Sequence, residues 1–232
     1  MDQTRESSPS PGPEAFRDME AWVFDLDNTL YPKSCNLFVE VEARIRDFVA
    51  EILGLDPDQA FAVQKRYFRE YGTTLRGLMT HHGVDPHAFL DHVHAIDLGP
   101  VVPAPRLEAA LARLPGRKIV FTNADSGHAR RVLERIGVGH HFDAVFDIVD
   151  ADFVPKPDPA IYDRLVARHR LDPGRTVMVE DIARNLVPAA ALGMTTVWLR
   201  SDSPWGNDGA DRDQVHVAID DLASWLDAVG GA

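Results

Sequence analysis

The chain has 232 residues, which suits one large α/β domain or a core domain carrying an insertion. About 45% of them are hydrophobic, so a core can form without disulfides; the single cysteine, Cys35, excludes an internal disulfide and fits a reducing, cytoplasmic location. The net charge of −12, from 24 basic and 36 acidic residues, argues against nucleic acid as a partner, and no apolar run approaches the roughly 18 residues of a membrane span.

Residues 1–18 are polar and rich in Ser and Pro, without the apolar stretch of a signal peptide, and are expected to be a disordered lead. The first apolar strand pattern covers 21–24. A long helical stretch follows, 33–115. Its first helix carries a stripe of Leu37, Phe38, Val41, Ile45, Phe48, Val49, Ile52 and Leu53, with Gly54 at the C-cap position. Further helices are expected over 57–71, 74–82, 86–95 and 105–114. Strand patterns then recur at 118–123, 144–149, 176–181 and 195–199, with a weak sixth at 215–218. Helical patterns over 128–136, 159–169 and 184–192 lie between them. Continuous apolar strands alternating with helices predict a doubly wound parallel α/β sheet. The helical stretch is too long for a crossover and predicts an all-helical cap inserted after the first strand. The expected division is a core of 19–32 and 104–232 and a cap of 33–103.

Polar residues gather at the predicted strand ends, where such sheets place their chemistry. Asp25 and Asp27 follow the first strand and repel unless a cation lies beside them. Glu180 and Asp181 end the fourth, and Asp181 adds a third carboxylate. Few, hard oxygen ligands suit Mg²⁺. Thr122 and Asn123, after the second strand, offer a hydroxyl and backbone N–H groups as a phosphate cradle. Lys156, between Pro155 and Pro157, is a stiffly held cation able to neutralise phosphate or an ionised nucleophile. His128, Tyr31, Arg76 and Tyr71 are candidate substrate contacts. The other histidines, including those of the cap and the pair at 140–141, match no zinc spacing and read as solvated helical residues.

DLDNT at 25–29, FTNA at 121–124, PKP at 155–157 and VED at 179–181 resemble, in order, the four motifs of the haloacid dehalogenase superfamily of phosphotransferases. The insertion point resembles that of its helical C1 cap. DLDNTLYP (25–32), YGTTLRGL (71–78), TNADSGHA (122–129), FDIV (146–149) and EDIARNL (180–186) resemble the pyrimidine 5′-nucleotidase branch. The resemblance implies that Asp25 is a nucleophile forming an aspartyl-phosphate. Asp27 would be the acid and base, its carbonyl also a metal ligand. Thr122 and the Asn123 backbone would hold the phosphoryl group, and Lys156 would balance charge. Asp181 would complete the Mg²⁺ site with Glu180 at or behind it, and Asn185 stands where relatives carry a second carboxylate. The expected activity is Mg²⁺-dependent hydrolysis of a small-molecule phosphomonoester, a nucleoside 5′-monophosphate first. The alternatives are a sugar-phosphate or phosphoglycolate phosphatase, a phosphosugar mutase, or a non-catalytic phosphate-binding domain. A monomer or homodimer is expected.

Overall fold

A computed structural model describes residues 11–201, 206–207 and 214–231. Six short strands form one parallel sheet: β1 (Ala21–Phe24), β2 (Arg117–Phe121), β3 (Ala144–Phe146), β4 (Thr176–Glu180), β5 (Thr195–Leu199) and β6 (Val217–Ile219). Their order is β3-β2-β1-β4-β5-β6. The chain thus builds outward from β1 to β3, then returns to β4 on the other side of β1. That reversal opens a crevice at the carboxyl ends of β1 and β4, where ligands of open α/β sheets bind.

Parallel strands need crossovers, and the crossover helices cover both sheet faces. β1 and β4 are accordingly buried at every residue. Strand alternation sends Trp22 and Phe24 to one face, against α5 (Pro105–Arg113), α6 (Ser126–Ile136) and α9 (Leu222–Gly230). Val23 faces the other way, with Phe121 and Met178, against α7 (Pro159–His169) and α8 (Val187–Ala191). Trp22 is fully buried, and its Nε1 donates to the Pro115 carbonyl at 2.8 Å, so its polar atom is satisfied.

Between β1 and α5 lie α1 (Leu37–Leu53), α2 (Pro57–Tyr71), α3 (Thr74–His82) and α4 (Pro86–Val93). Their ends are written locally. Gly54 stops α1 with φ 63°, a left-handed conformation that costs glycine little. Asp56 and Gln59 form a capping box around Pro57 at the start of α2, and Thr73 and Asp85 cap α3 and α4. These helices share an apolar cluster that includes Phe48, Val49, Tyr67, Leu78 and Phe89, with Ile148 from just after β3 joining it. Gly77 permits the contact of α3 with α2, since a Cβ there would lie 2.4 Å from Tyr67 Cγ. No helix of the described residues is long and apolar enough to cross a membrane.

Several local expectations need correction. The disordered lead of 1–18 fails in its second half: Pro13–Phe16 form a 3-10 turn that buries Phe16 against Trp22 and Trp225. Residues 1–10 lie outside the described residues. β3 ends at Phe146, not 149, because the Asp147 carboxylate turns to accept from the backbone N–H groups of Ser126 and Asp150. The sixth strand begins at 217, not 215, because the Thr196 N–H donates to the His216 ring at 3.0 Å. The stretch 184–192 opens as a 3-10 turn, Ala183–Leu186, before α8. The C-terminal helix α9 was not foreseen.

Candidate active site

β1 runs directly into Asp25, whose N–H donates to Val179 of β4 at 2.9 Å. The chain then reverses. Asn28 adopts φ 62°, which Asn tolerates, and the N–H groups of Thr29 and Leu30 both return to Leu26 O. The reversal brings Asp25 and Asp27 to one cavity despite strand alternation. Glu180 ends β4, with Asp181 next to it. Lys156 enters from the loop before α7, its N–H held by Asn123 Oδ1 at 2.9 Å.

Lys156 Nζ donates to Asp25 Oδ1 at 2.6 Å, Glu180 Oε2 at 2.8 Å and Phe121 O at 3.0 Å. Thr29 Oγ1 donates to Asp25 Oδ2 at 3.1 Å. Asn185 Nδ2 donates to Glu180 Oε1 at 2.9 Å, and the Tyr162 hydroxyl holds Asn185 O at 2.6 Å. One ammonium thus faces three buried carboxylates, Asp25, Glu180 and Asp181. Burial first, then Glu180 and Asp27, push Asp25 up to about 7 against the pull of Lys156. Burial and the charges of Asp25 and Glu180 hold Asp181 well above the usual carboxylate range. Lys156 is held above its ordinary value, its own burial being outweighed by Asp25 and Glu180.

This is a cluster short of positive charge. Asp25, Glu180 and Asp181 place donor atoms all within 4.8 Å of one another. Asn185 Oδ1 is buried with no hydrogen-bond partner among the described residues. A set of hard oxygen donors with surplus negative charge fits a Mg²⁺ ion.

Asp27 stands apart from that cluster. Its Oδ1 accepts from the Tyr31 hydroxyl at 2.5 Å and lies 3.6 Å from His128 Nε2. Burial works to raise it, but the His128 imidazole and the Tyr31 hydroxyl outweigh burial and leave it below the usual range. His128 is fully buried; its Nδ1 has no hydrogen-bond partner among the described residues, and its Nε2 faces the Asp27 carboxylate. Its ring stacks on His94 at 4.3 Å and 18°. His94 Nδ1 in turn pairs with the Asp125 carboxylate, and His94 O accepts from Arg131 at 2.8 Å. His94 is therefore no solvated histidine; it ends α4, far along the chain from Asp125 and His128 at the start of α6, so no sequence spacing links it to them.

These groups open on a cavity of about 320 Å³ between the strand ends and the inserted helices. Phe38, Phe68, Phe89, Leu90 and Val93 line its far side. Asp25, Asp27, Asn123, His128, Lys156, Glu180 and Asp181 all border it. Arg76 and Tyr71 are not among its lining residues; the Tyr71 hydroxyl pairs instead with His81 at 2.5 Å. Tyr31 reaches the site only through Asp27. Thr122 is buried, with Oγ1 accepting from the Ala124 N–H at 3.0 Å. The helix expected directly after Thr122 and Asn123 begins at Ser126, capped by Asp125, so no helix end lies at those two residues.

A family model for haloacid dehalogenase-like hydrolases matches residues 19–193. The chain is 26% identical over 201 residues to Phosphate metabolism protein 8 of Saccharomyces cerevisiae, covering 79% of this chain and 62% of that protein. It therefore spans less than two thirds of that relative's length. A 76-residue stretch is 40% identical to a CBBY-like protein of Arabidopsis thaliana, covering 32% of this chain and 24% of that one. In fold the chain is similar to CbbY of Rhodobacter sphaeroides in complex with xylulose 1,5-bisphosphate, with a TM-score of 0.61, 20% identity and coverage of 90% and 99% of the two chains. It is also similar to a HAD phosphatase of Thermococcus onnurineus, with a TM-score of 0.56, 20% identity and coverage of 87% and 93%. With that family model spanning most of its length, the chain belongs to the haloacid dehalogenase-like hydrolases.

Proposed function

We propose that the chain is a Mg²⁺-dependent phosphomonoester hydrolase that forms an aspartyl-phosphate on Asp25 and acts on nucleoside 5′-monophosphates. The observation that carries the reading is the buried cluster in which Lys156 bridges Asp25 and Glu180 beside Asp181. An Asp25 oxygen attacks phosphorus, the bond to the leaving oxygen breaks, and Asp27 delivers a proton to that oxygen. Water then attacks the phosphoryl group, Asp27 takes its proton, and the bond to Asp25 breaks. Asp27 is a carboxylate in the free site, which suits the second step. An anionic phosphoryl group beside it favours the protonated form that the first step requires.

Magnesium, held by Asp25, Asp181 and the Asp27 carbonyl, would neutralise charge on the transferring group. Both Glu180 oxygens are engaged, one by Lys156 and one by Asn185, so Glu180 supports the site from behind. Lys156 orients Asp25 and offsets phosphoryl charge. Thr122 and the Asn123 backbone N–H hold phosphate oxygens.

The helical segment 33–103 serves as a C1-type cap on a core of 19–32 and 104–232. Its apolar wall of Phe38, Phe68 and Phe89 supports a leaving group with a flat apolar face, such as a pyrimidine. His128 Nδ1, without a hydrogen-bond partner among the described residues, supplies polar recognition beside it. A sugar-phosphate substrate is the second reading, favoured by the likeness to CbbY and to the CBBY-like protein. Phosphate release from UMP, CMP and a panel of sugar phosphates, with and without EDTA, separates them. Sugar phosphates turned over faster than UMP and CMP would reject the nucleotide reading. No Mg²⁺-dependent release from any phosphomonoester would reject the hydrolase mechanism.

A further inference from the structure

Glu108 of α5 and the pair His140–His141, in the 3-10 turn Gly139–His141 before β3, meet away from the cavity. His141 Nε2 lies 3.1 Å and His140 Nε2 3.4 Å from the same oxygen, Glu108 Oε1. The two rings are 4.0 Å apart, and all three donor atoms fall within 4.8 Å of one another. Consecutive side chains normally diverge, so two adjacent imidazoles turned onto one carboxylate oxygen need a reason. Partly exposed ion pairs are worth at most about 1 kcal/mol, little return for ordering three side chains.

A shared cation gives that reason. Zinc sits about 2.0–2.2 Å from imidazole nitrogen and carboxylate oxygen, which puts tetrahedral ligand atoms roughly 3.3–3.5 Å apart. The two Glu–His separations fall close to that spacing. Two imidazoles and one carboxylate suit Zn²⁺, Co²⁺ or Ni²⁺, whereas Mg²⁺ prefers oxygen alone. His140 also lines an open surface groove, so an ion has access from solvent. We propose that Glu108, His140 and His141 form a surface binding site for a divalent cation of the Zn²⁺ class, with water completing the coordination. The ion ties α5 to the turn that leads into β3. It binds the folded chain more tightly than the unfolded one, since Glu108 joins the two histidines only there, and so stabilises the fold.

The test is a calorimetric titration of EDTA-treated, dialysed protein with Zn²⁺, using wild type, His140→Gln, His141→Gln and Glu108→Gln. Wild type should bind about one equivalent more than each variant, as one complete ligand set predicts. The carboxylates of the cavity are unchanged across the series, so their Zn²⁺ cancels in the difference. Co²⁺ should give wild type an intense tetrahedral absorption that the variants lack. His140 is 62% exposed, so His140→Gln should melt like wild type in EDTA and lose only the melting-temperature gain that Zn²⁺ gives wild type. Equal Zn²⁺ stoichiometry in wild type and all three variants, or a Co²⁺ spectrum that the substitutions leave unchanged, overturns the site.

Discussion

Asp25→Asn is expected to abolish turnover and, in metal-free protein, to raise stability above neutral pH. Asp25, Glu180 and Asp181 share one buried ammonium, Lys156. Burial and the neighbouring carboxylates raise Asp25 from 3.8 to about 7 in the folded chain. A carboxyl raised on folding binds its proton more tightly in the native state. Its stabilising contribution is therefore complete below about pH 4 and is lost as pH rises through about 7. The rise from 3.8 to about 7 corresponds to roughly 4 kcal/mol at about 1.4 kcal/mol per tenfold change in proton affinity. Asparagine is neutral at every pH and escapes that loss, while its carbonyl still accepts from Lys156. Urea unfolding in EDTA at pH 5 and pH 8 measures the effect. The variant should gain on wild type between the two, by about 2–3 kcal/mol, since the rest of the loss falls between about pH 4 and pH 5. Mg²⁺ should then stabilise wild type at pH 8 more than the variant. A wild-type-to-variant difference that stays constant with pH, or that moves in favour of wild type as pH rises, would refute the crowded-carboxylate account.

Tyr31→Phe removes the hydroxyl bonded to Asp27 at 2.5 Å and frees the carboxyl that serves the leaving group. kcat/KM should fall between about tenfold and 10²-fold for alkyl phosphates and far less for p-nitrophenyl phosphate, whose leaving group needs no proton. Equal losses on both substrates would mean that Tyr31 does not act through Asp27. Phe16→Ala empties a site 1% exposed, with ring contacts to Trp22 and Trp225 at 6.1 and 5.2 Å. It should cost about 3–5 kcal/mol in chemical denaturation, and a cost below about 1 kcal/mol would put the 3-10 segment outside the core.

The parallel sheet and the inserted helices were legible because both are written in short-range patterns. Runs such as AWVF and TVMVE, short, mostly apolar and carrying β-branched or aromatic residues, read as strands buried on both faces. The 3.6-residue stripe of α1, Gly54 and the Asp56–Gln59 box mark helix bounds within a few residues. Asp25, Asp27, Lys156, Glu180 and Asp181 could be picked out because they fall at or after the carboxyl ends of three strands, β1, β3 and β4, of a parallel sheet, and those ends share one edge. Where a side chain replaced a backbone partner, the pattern misled. Asp147 cut β3 short, and the His216 ring delayed β6. Phe16 looked like part of a polar tail, since one aromatic among Ser and Pro carries no periodicity.

The sequence by itself therefore determined the six strands and most of the helices, though not α9 or the Pro13–Phe16 turn, and which strand ends carry charge. Local backbone preference and hydrophobic period are properties of neighbours along the chain. Only the tertiary structure decided which of those charges touch. It set Lys156 between Asp25 and Glu180, turned Asp27 toward Tyr31 and His128, and stacked His94 on His128. It also joined Glu108 to His140 and His141. Such contacts depend on the order of strands and the packing of helices over them, and no spacing in the chain encodes a distance across the fold.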